Sequence, residues 1–390
     1  MKVVDQLPIE ASRREIVYSA TTLRGLAILA VVAEHITLAT MPRSVHDALV
    51  GVVSTWSPPE MAYSDSRFAF TAILLYTSCR FAVPLFFILS CFGLALRPIR
   101  PGGLWGFYRR KLPKLIIPYL VYFALYAGLN LLVGGEASQQ HFTSWFSLLK
   151  MLLGFGGGHL WFIHTLILLH VLHPFAWHLY REVLPAKPAS VAFLGIIQIG
   201  VTAGICSLGS FSTVPLWLHP LGYAIFKSWW YLFAGYLLSD YADRIFAYAR
   251  HPVGRWTGAL VSFAVLGGIA VYWTSYMLDG TAVGGVPGQY AVLYVPGPIL
   301  AGATVPLILT STDWMGGRFG SILKSFGLYS LGVYLMHPVV QLAMDWFLRT
   351  GFGLMPEDPV HLVLSFGLVP WVTLAVVRLL ARSSVGRFLT

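Results

Sequence analysis

The chain is short of charge, and above all of acid. Charged residues make up only 11% of its 390 positions, with 16 Asp and Glu against 26 Lys and Arg, while 57% are apolar. A soluble domain carries about 25% charged residues. This composition excludes a solvated globule and predicts an integral membrane protein. Cysteine is also scarce: Cys79, Cys91 and Cys206 are the only three, each in an apolar stretch. Along one helix Cys79 and Cys91 would stand ~18 Å apart, too far for a disulfide, and no cysteine has metal-ligand spacing. The sequence lacks a G-x-S-x-G elbow, a Walker loop, a G-x-G-x-x-G turn and an H-E-x-x-H pair. Hydrolase, nucleotidase and metalloprotease chemistry therefore have no motif to rest on. No short h-region with a small-residue cleavage site occurs near the start, so the first apolar segment is expected to be retained as a span.

What the chain has in abundance is apolar length. Stretches of ~17–25 apolar residues can cross a bilayer as helices. Ten are read, at about 22–41, 68–96, 112–133, 159–180, 189–208, 222–240, 255–277, 291–311, 322–348 and 360–381. The expected fold is all-α, a polytopic membrane bundle of about ten transmembrane helices. It comprises a transmembrane domain at 21–382, an N-terminal segment at 1–20 and a tail at 383–390. The second stretch is long for one crossing, and Pro84 is placed to break it.

The basic residues orient this bundle. With the N-terminus in the cytoplasm, twenty of the 26 Lys and Arg fall on cytoplasmic segments, and only Arg43, Arg67, Lys150 and Arg349 on outer ones. That positive-inside bias puts both termini in the cytoplasm of an inner (plasma) membrane protein. It accounts for the net charge of +10 without a nucleic-acid partner.

Five groups of residues carry chemical interest. Arg24 and His35 lie eleven positions apart in the first span, which returns them to nearly one helix face with ~16 Å of rise. If the helix begins near Arg24, that residue sits at the membrane surface and His35 near the bilayer centre. An ionisable residue at that depth is a functional candidate, and imidazole suits a general base. His35 could equally be satisfied by a neighbouring helix, with Arg24 a surface anchor. Glu34, a second mid-span ionisable group, points about 100° away from His35 and weighs toward function.

Arg80, near the middle of the second span, could bind an anionic or sugar group or neutralise Glu34. Arg109, Arg110, Lys111 and Lys114 cluster where the third span begins. They suit donor phosphates or lipid headgroups. His159, Trp161, Phe162 and His164 mark the mouth of the fourth span, where Trp161 and Phe162 could form a platform for a sugar ring or act as interfacial aromatics. His170 and His173, three residues apart, have no acidic or cysteine partner nearby, and no metal site is expected. His337 lies in the ninth span as a further cavity or structural candidate.

Taken in order, several of these motifs resemble one family. They are Leu23-Arg24-Gly25-Leu26-Ala27 with His35, Pro84-Leu85-Phe86-Phe87-Ile88-Leu89-Ser90, the basic run into Ile117-Pro118-Tyr119, His159-Leu160-Trp161-Phe162, and Tyr329-Ser330-Leu331-Gly332-Val333-Tyr334-Leu335-Met336-His337-Pro338. The succession resembles the acyltransferase 3 family of membrane O-acyltransferases, with the Arg-x10-His pair as its most specific element. The resemblance implies transfer of an acyl group, usually acetyl, from cytoplasmic acyl-CoA to a hydroxyl of a carbohydrate or lipid-linked sugar. Acyl-CoA would be a donor substrate and no cofactor would be permanently bound.

In that reading His35, Arg24 and Glu34 are catalytic. Arg24, Arg109, Arg110, Lys111 and Lys114 hold acyl-CoA, and Arg80, His159, Trp161 and His337 meet the acceptor. The chain departs from the pattern where Lys111 and Lys114 stand in place of a frequent Arg-x-x-Arg pair. Lysine cannot form a planar bidentate fork, a role left to Arg109 or Arg110. Cys91 follows Leu-Ser where relatives commonly have a small residue. The rival readings are a polytopic exporter of a polysaccharide or small metabolite and a non-catalytic subunit of a glycan-synthesis complex.

Overall fold

The computed structural model describes residues 9–40, 74–76, 78–79, 81–96, 103–133, 160–207, 228–279, 317–356, 358–384 and 386–389. These residues are helical or connect helices, so the all-α expectation holds among them. In chain order the helices are α1 (Ile9–Thr40), α2 (Ala82–Ala95), α3 (Gly103–Lys111), α4 (Pro113–Val133), α5 (Trp161–His178), α6 (Lys187–Ser207), α7 (Trp230–Arg250), α8 (Pro252–Asp279), α9 (Gly317–Leu328), α10 (Ser330–Phe352), α11 (Pro359–Leu380) and α12 (Gly386–Leu389).

Helix α1 is the centre of the bundle and packs against α9, α2, α10 and α11. Its side chains Leu23, Ala27, Ile28, Val31, Val32 and Ile36 are buried. The crossing with α9 is backbone on backbone. A Cβ on Gly25 would overlap the Leu323 carbonyl, and one on Gly327 would overlap the Thr21 carbonyl. Small residues at such a crossing are the usual means of close approach between membrane helices. Helix α2 is apolar on every side and almost wholly buried, as an element enclosed by others should be. It is gripped by α7, whose Gly235 sits against the backbone of Cys91 and Phe92.

Two further details fix the frame. Gly353, at φ 68°, ends α10 in the left-handed region. Its N–H donates to the Arg349 carbonyl and that of Leu354 to the Leu348 carbonyl, a Schellman-type stop. At the end of α5, a turn of π-helix (Leu179–Val183) brings Arg181 to Asp240 at 3.0 Å, while Lys187 of α6 reaches the same carboxylate at 3.2 Å. Tyr180 donates to Asp240 as well, so one acid ties α5, α6 and α7 together.

Five described helices are long and apolar enough to cross a membrane: Ile16–Ala39, Gly103–Leu129, Trp161–Val183, Ser330–Phe352 and Pro359–Leu380. Ten were expected, and the difference has identifiable causes. The stretch at 291–311 lies outside the described residues. That at 68–96 contributes one long described helix, α2, whose 14 residues fall short of span length. That at 189–208 lies in α6, whose side chains are described only as far as Val201. Of the stretch at 222–240, residues 222–227 lie outside the described residues and 230–240 open α7, which carries Asp240, Asp243 and Arg244 in its second half. That at 255–277 lies in α8, whose side chains are described only in part. The stretch at 322–348 is two helices parted at Tyr329.

The outer faces are apolar. Phe175, Trp256, Phe263 and Val363 are all more than two-thirds exposed, which suits lipid rather than water. The protein is a polytopic helical membrane protein.

Candidate active site

A cavity of about 500 Å³ opens between α1, α2, α5 and α10. That volume is in the range of small-molecule sites. Val17, Leu96, Lys111 and His170 line one end, and Val17 is exposed there. Arg24 lies deeper. Its Nη2 donates to the Leu89 carbonyl at 3.0 Å, across to α2. Space for this guanidinium is left by Gly93, where a Cβ would stand 3.0 Å from Nη2. Ser90, Thr21 and Ser330 add hydroxyls to the wall.

The far end is lined by buried Phe86, Phe162 and Tyr334. Phe162 stacks on Phe87 at 4.8 Å and meets Tyr334 at 4.8 Å and Phe86 edge-on at 5.5 Å.

Beyond Tyr334 stand two histidines. The rings of His35 and His337 meet edge to face, with centroids 4.9 Å apart, and Tyr334 lies 5.9 Å from His337. His35 Nδ1 donates to the Val31 carbonyl at 2.8 Å. A carbonyl can only accept, so Nδ1 carries a proton. His337 makes the same contact with the Val333 carbonyl, at 3.2 Å. Gln341 Nε2 donates to the His35 carbonyl at 3.3 Å, joining α10 to α1 one turn further on. Two helices therefore present a pair of oriented imidazoles beside Tyr334, at that end of the cavity.

The model of the acyltransferase 3 family, an acyltransferase domain, matches residues 17–381. The chain belongs to this family. No curated protein and no solved structure gives a match. As a membrane acyltransferase, the chain is an enzyme, and the exporter and scaffold readings give way.

The acyltransferase places its sequence-predicted residues unevenly. Arg24 and His35 share a face of α1, which begins at Ile9 rather than near Arg24. The apolar window along it runs from Ile16 to Ala39. Arg24 thus lies about 5 Å from the window's middle and His35 about 11 Å past it, at 1.5 Å per residue. The arginine is the more central of the two, and it touches the cavity where the histidine does not.

Glu34 is half-buried beside them and outside the cavity lining. Of the basic cluster only Lys111 lines the cavity, while Arg109, Arg110 and Lys114 are exposed. Trp161 packs edge-on to Phe87 and Phe162 rather than lining the cavity. Arg80 and His159 lie outside the described residues.

Sequence reasoning missed His170 and Tyr334 as cavity residues, whereas Phe162, read with Trp161 as a stacking platform, does line the cavity. His170 Nδ1 donates to the Leu166 carbonyl at 2.8 Å while His173 Nδ1 pairs with the Tyr236 hydroxyl at 2.7 Å, so the two serve different places. Among the described residues no group of three or more His, Cys, Asp or Glu is arranged for a metal. A usable signal existed. His170 and Tyr334 each stand four residues before a mid-helix proline, Pro174 and Pro338. A proline has no N–H to return to that position, and such interruptions in membrane helices sit where protein or a cavity surrounds them.

Proposed function

We propose that this enzyme moves an acyl group, acetyl, from acyl-CoA to a hydroxyl of a carbohydrate or glycolipid acceptor. The observation that carries the reading is the order of groups along the cavity. A cationic rim leads to Arg24, then to an aromatic wall, then to a histidine pair. The chain is oriented with both termini in the cytoplasm of the plasma membrane, so the rim faces the cytoplasmic donor. The acceptor arrives from the outer half.

Coenzyme A carries phosphates and a long pantetheine arm. Lys111, with Arg109, Arg110 and Lys114 outside it, supplies the cationic rim that phosphates need. Arg24, held by the Leu89 carbonyl, presents its planar fork deeper in the cavity, where the thioester end of the arm arrives. Acceptor contacts fall to His337 and Trp161, and to Arg80 and His159 by sequence position.

A sugar hydroxyl is a poor nucleophile until a base removes its proton. His35 Nε2 takes that proton as the hydroxyl oxygen attacks the thioester carbonyl carbon. The tetrahedral intermediate collapses with cleavage of the C–S bond. The thiolate of CoA then takes the proton back from the imidazolium, leaving an ester and free CoA, with atoms and charge balanced. Glu34, next to His35, supports the imidazolium electrostatically.

The test uses purified enzyme in lipid nanodiscs and labelled acetyl-CoA. Wild type should bind it saturably and Arg24→Ala should bind it far more weakly. Absence of saturable binding to folded wild type would overturn the donor assignment. Mass spectrometry of surface glycans, with and without the protein, identifies the acceptor class.

A further inference from the structure

The second half of α10 carries polar groups that the reaction as described does not use. Tyr334, His337, Gln341 and Asp345 follow one another at intervals of three or four residues, so they form one stripe along the helix. Tyr334, His337 and Gln341 are buried, while Leu342, Trp346 and Phe347 on the other side are exposed. Asp345 lies about 12 Å beyond His337 along the helix, at 1.5 Å per residue. Helix α11 supplies its partner. His361 Nε2 stands 3.3 Å from Asp345 Oδ1, and Ser365 Oγ lies 3.4 Å from His361 Nδ1. The His361 side chain is 1% exposed, yet that of Asp345 keeps 25% of its surface open.

Ionisable residues within membrane helices face the bundle interior or a water-filled space, and they mark substrate paths. A pair that served packing alone would gain little from its charges, because apolar side chains of the same volume hold two helices as well. Here the histidine is enclosed and the carboxylate is left open. Among the described residues Asp345 makes its polar contact through Oδ1, which leaves Oδ2 for another donor. The histidine pair is also open away from the cavity. His35 is half-buried and does not line the cavity, so its accessible edge lies elsewhere. Gln341, between His337 and Asp345 on the stripe, holds α10 to the His35 carbonyl.

We propose that Asp345, oriented by His361, binds the acceptor: its carboxylate takes a hydrogen bond from one hydroxyl of a polyhydroxylated chain while another hydroxyl of that chain stands at His35. The proposal rests on the acceptor reading above and adds to it a binding residue outward of the histidine pair. By the orientation given there, Asp345 lies in the outer half of the bundle, about 6 Å past the middle of α10. An ionised carboxylate can only accept, so it selects hydroxyl or amine donors. Linked sugar rings offer a second hydroxyl at the required distance, and a simple alcohol does not.

The test titrates a detergent extract of surface glycans and glycolipids, from cells lacking this protein, as acceptor for the full chain in nanodiscs with labelled acetyl-CoA. Asp345→Asn keeps the shape and loses the charge. It should raise the KM for the extract roughly 10–100-fold, the usual worth of a hydrogen bond to a charged group, and by more than it lowers kcat. Acetyl-CoA affinity should stay near wild type. His361→Gln keeps an N–H for the carboxylate and should raise the same KM by a smaller step. Where Asp345→Asn does not fold, Asp345→Glu, which moves the charge by one methylene, should also raise it.

A folded Asp345→Asn or Asp345→Glu enzyme with an unchanged KM for the extract would overturn the proposal. Lower melting temperatures without a change in KM would make the pair a tie between α10 and α11, and overturn it equally. Either result leaves the acceptor reading standing, because wild type still labels the extract. A wild type that binds acetyl-CoA and labels nothing in the extract overturns that reading and the role of Asp345 with it.

Discussion

His35 and His337 come from helices three hundred residues apart in sequence, yet their rings meet edge to face at 4.9 Å. Each donates its Nδ1 proton to the carbonyl one turn before it. General-base help is typically worth ~10²–10⁴ in rate. His35→Ala should lower transfer by about that factor with donor affinity near wild type. His35→Gln should not restore it, since an amide cannot take a proton at neutral pH. If the two rings act as a unit, the His35→Ala/His337→Ala double variant should cost little more than the worse single one. Near-normal turnover by folded His35→Ala would move the base to His337 or Glu34.

Arg24 should act on the donor. Arg24→Lys keeps the charge and loses the fork and the bond to Leu89. A hydrogen bond to a charged group is worth about 1.5–3 kcal/mol, so acetyl-CoA should bind roughly 10–100-fold more weakly. Gly93→Ala should weaken the donor in the same direction with little loss of stability, because the new methyl meets the end of a flexible side chain at 3.0 Å. Equal donor affinity in both variants would show that Arg24 serves packing alone.

Gly25 and Gly327 make the opposite prediction. A methyl at either overlaps a main-chain carbonyl of the facing helix, which cannot swing away. Overpacking of this kind costs about 1–3 kcal/mol. Gly25→Ala and Gly327→Ala should each lower the unfolding temperature in detergent. Because both press on the same crossing, their effects should be coupled rather than additive. Unchanged melting in both would mean that α1 and α9 do not cross this closely.

Several of these relationships were legible in the sequence, and the reason is that they are local. The all-α membrane character follows from composition. The shared face of Arg24 and His35 follows from an eleven-residue offset on one helix. What could not be read is what several helices build together. The histidine pair needs α1 beside α10. The aromatic wall needs Phe86, Phe162 and Tyr334 from three helices to converge, and each ring by itself looks like ordinary apolar filling. The start of the first helix could not be read either, because an apolar run marks the span but not where its helix begins. Residues 9–15 extend α1 before the span starts.

Orientation is tested directly by reporter fusions. Those at about residue 103 and at the C-terminus should report the cytoplasm, and those at about 140 and 283 the outside, following the distribution of basic residues. The opposite result at 103 would turn the cavity's rim away from cytoplasmic acyl-CoA.

Lys111 and Lys114 are one helical turn apart in sequence but differ in place, and this separates donor binding from membrane attachment. Lys111 closes α3 and lines the cavity, whereas Lys114 opens α4 on the exposed surface. Lys111→Gln should therefore weaken acetyl-CoA binding several-fold. Lys114→Gln should leave that affinity close to wild type and show itself, if anywhere, in attachment to anionic lipid, where a surface lysine is worth about 1 kcal/mol. The salt dependence supplies the control. A contact between exposed charges is screened over about 8 Å at physiological ionic strength, and buried pairs much less. The loss from Lys111→Gln should hence persist at high salt while any effect of Lys114→Gln fades. Equal losses from both substitutions, fading together with salt, would make the whole cluster a lipid-facing surface and leave Arg24 as the donor's main cationic contact.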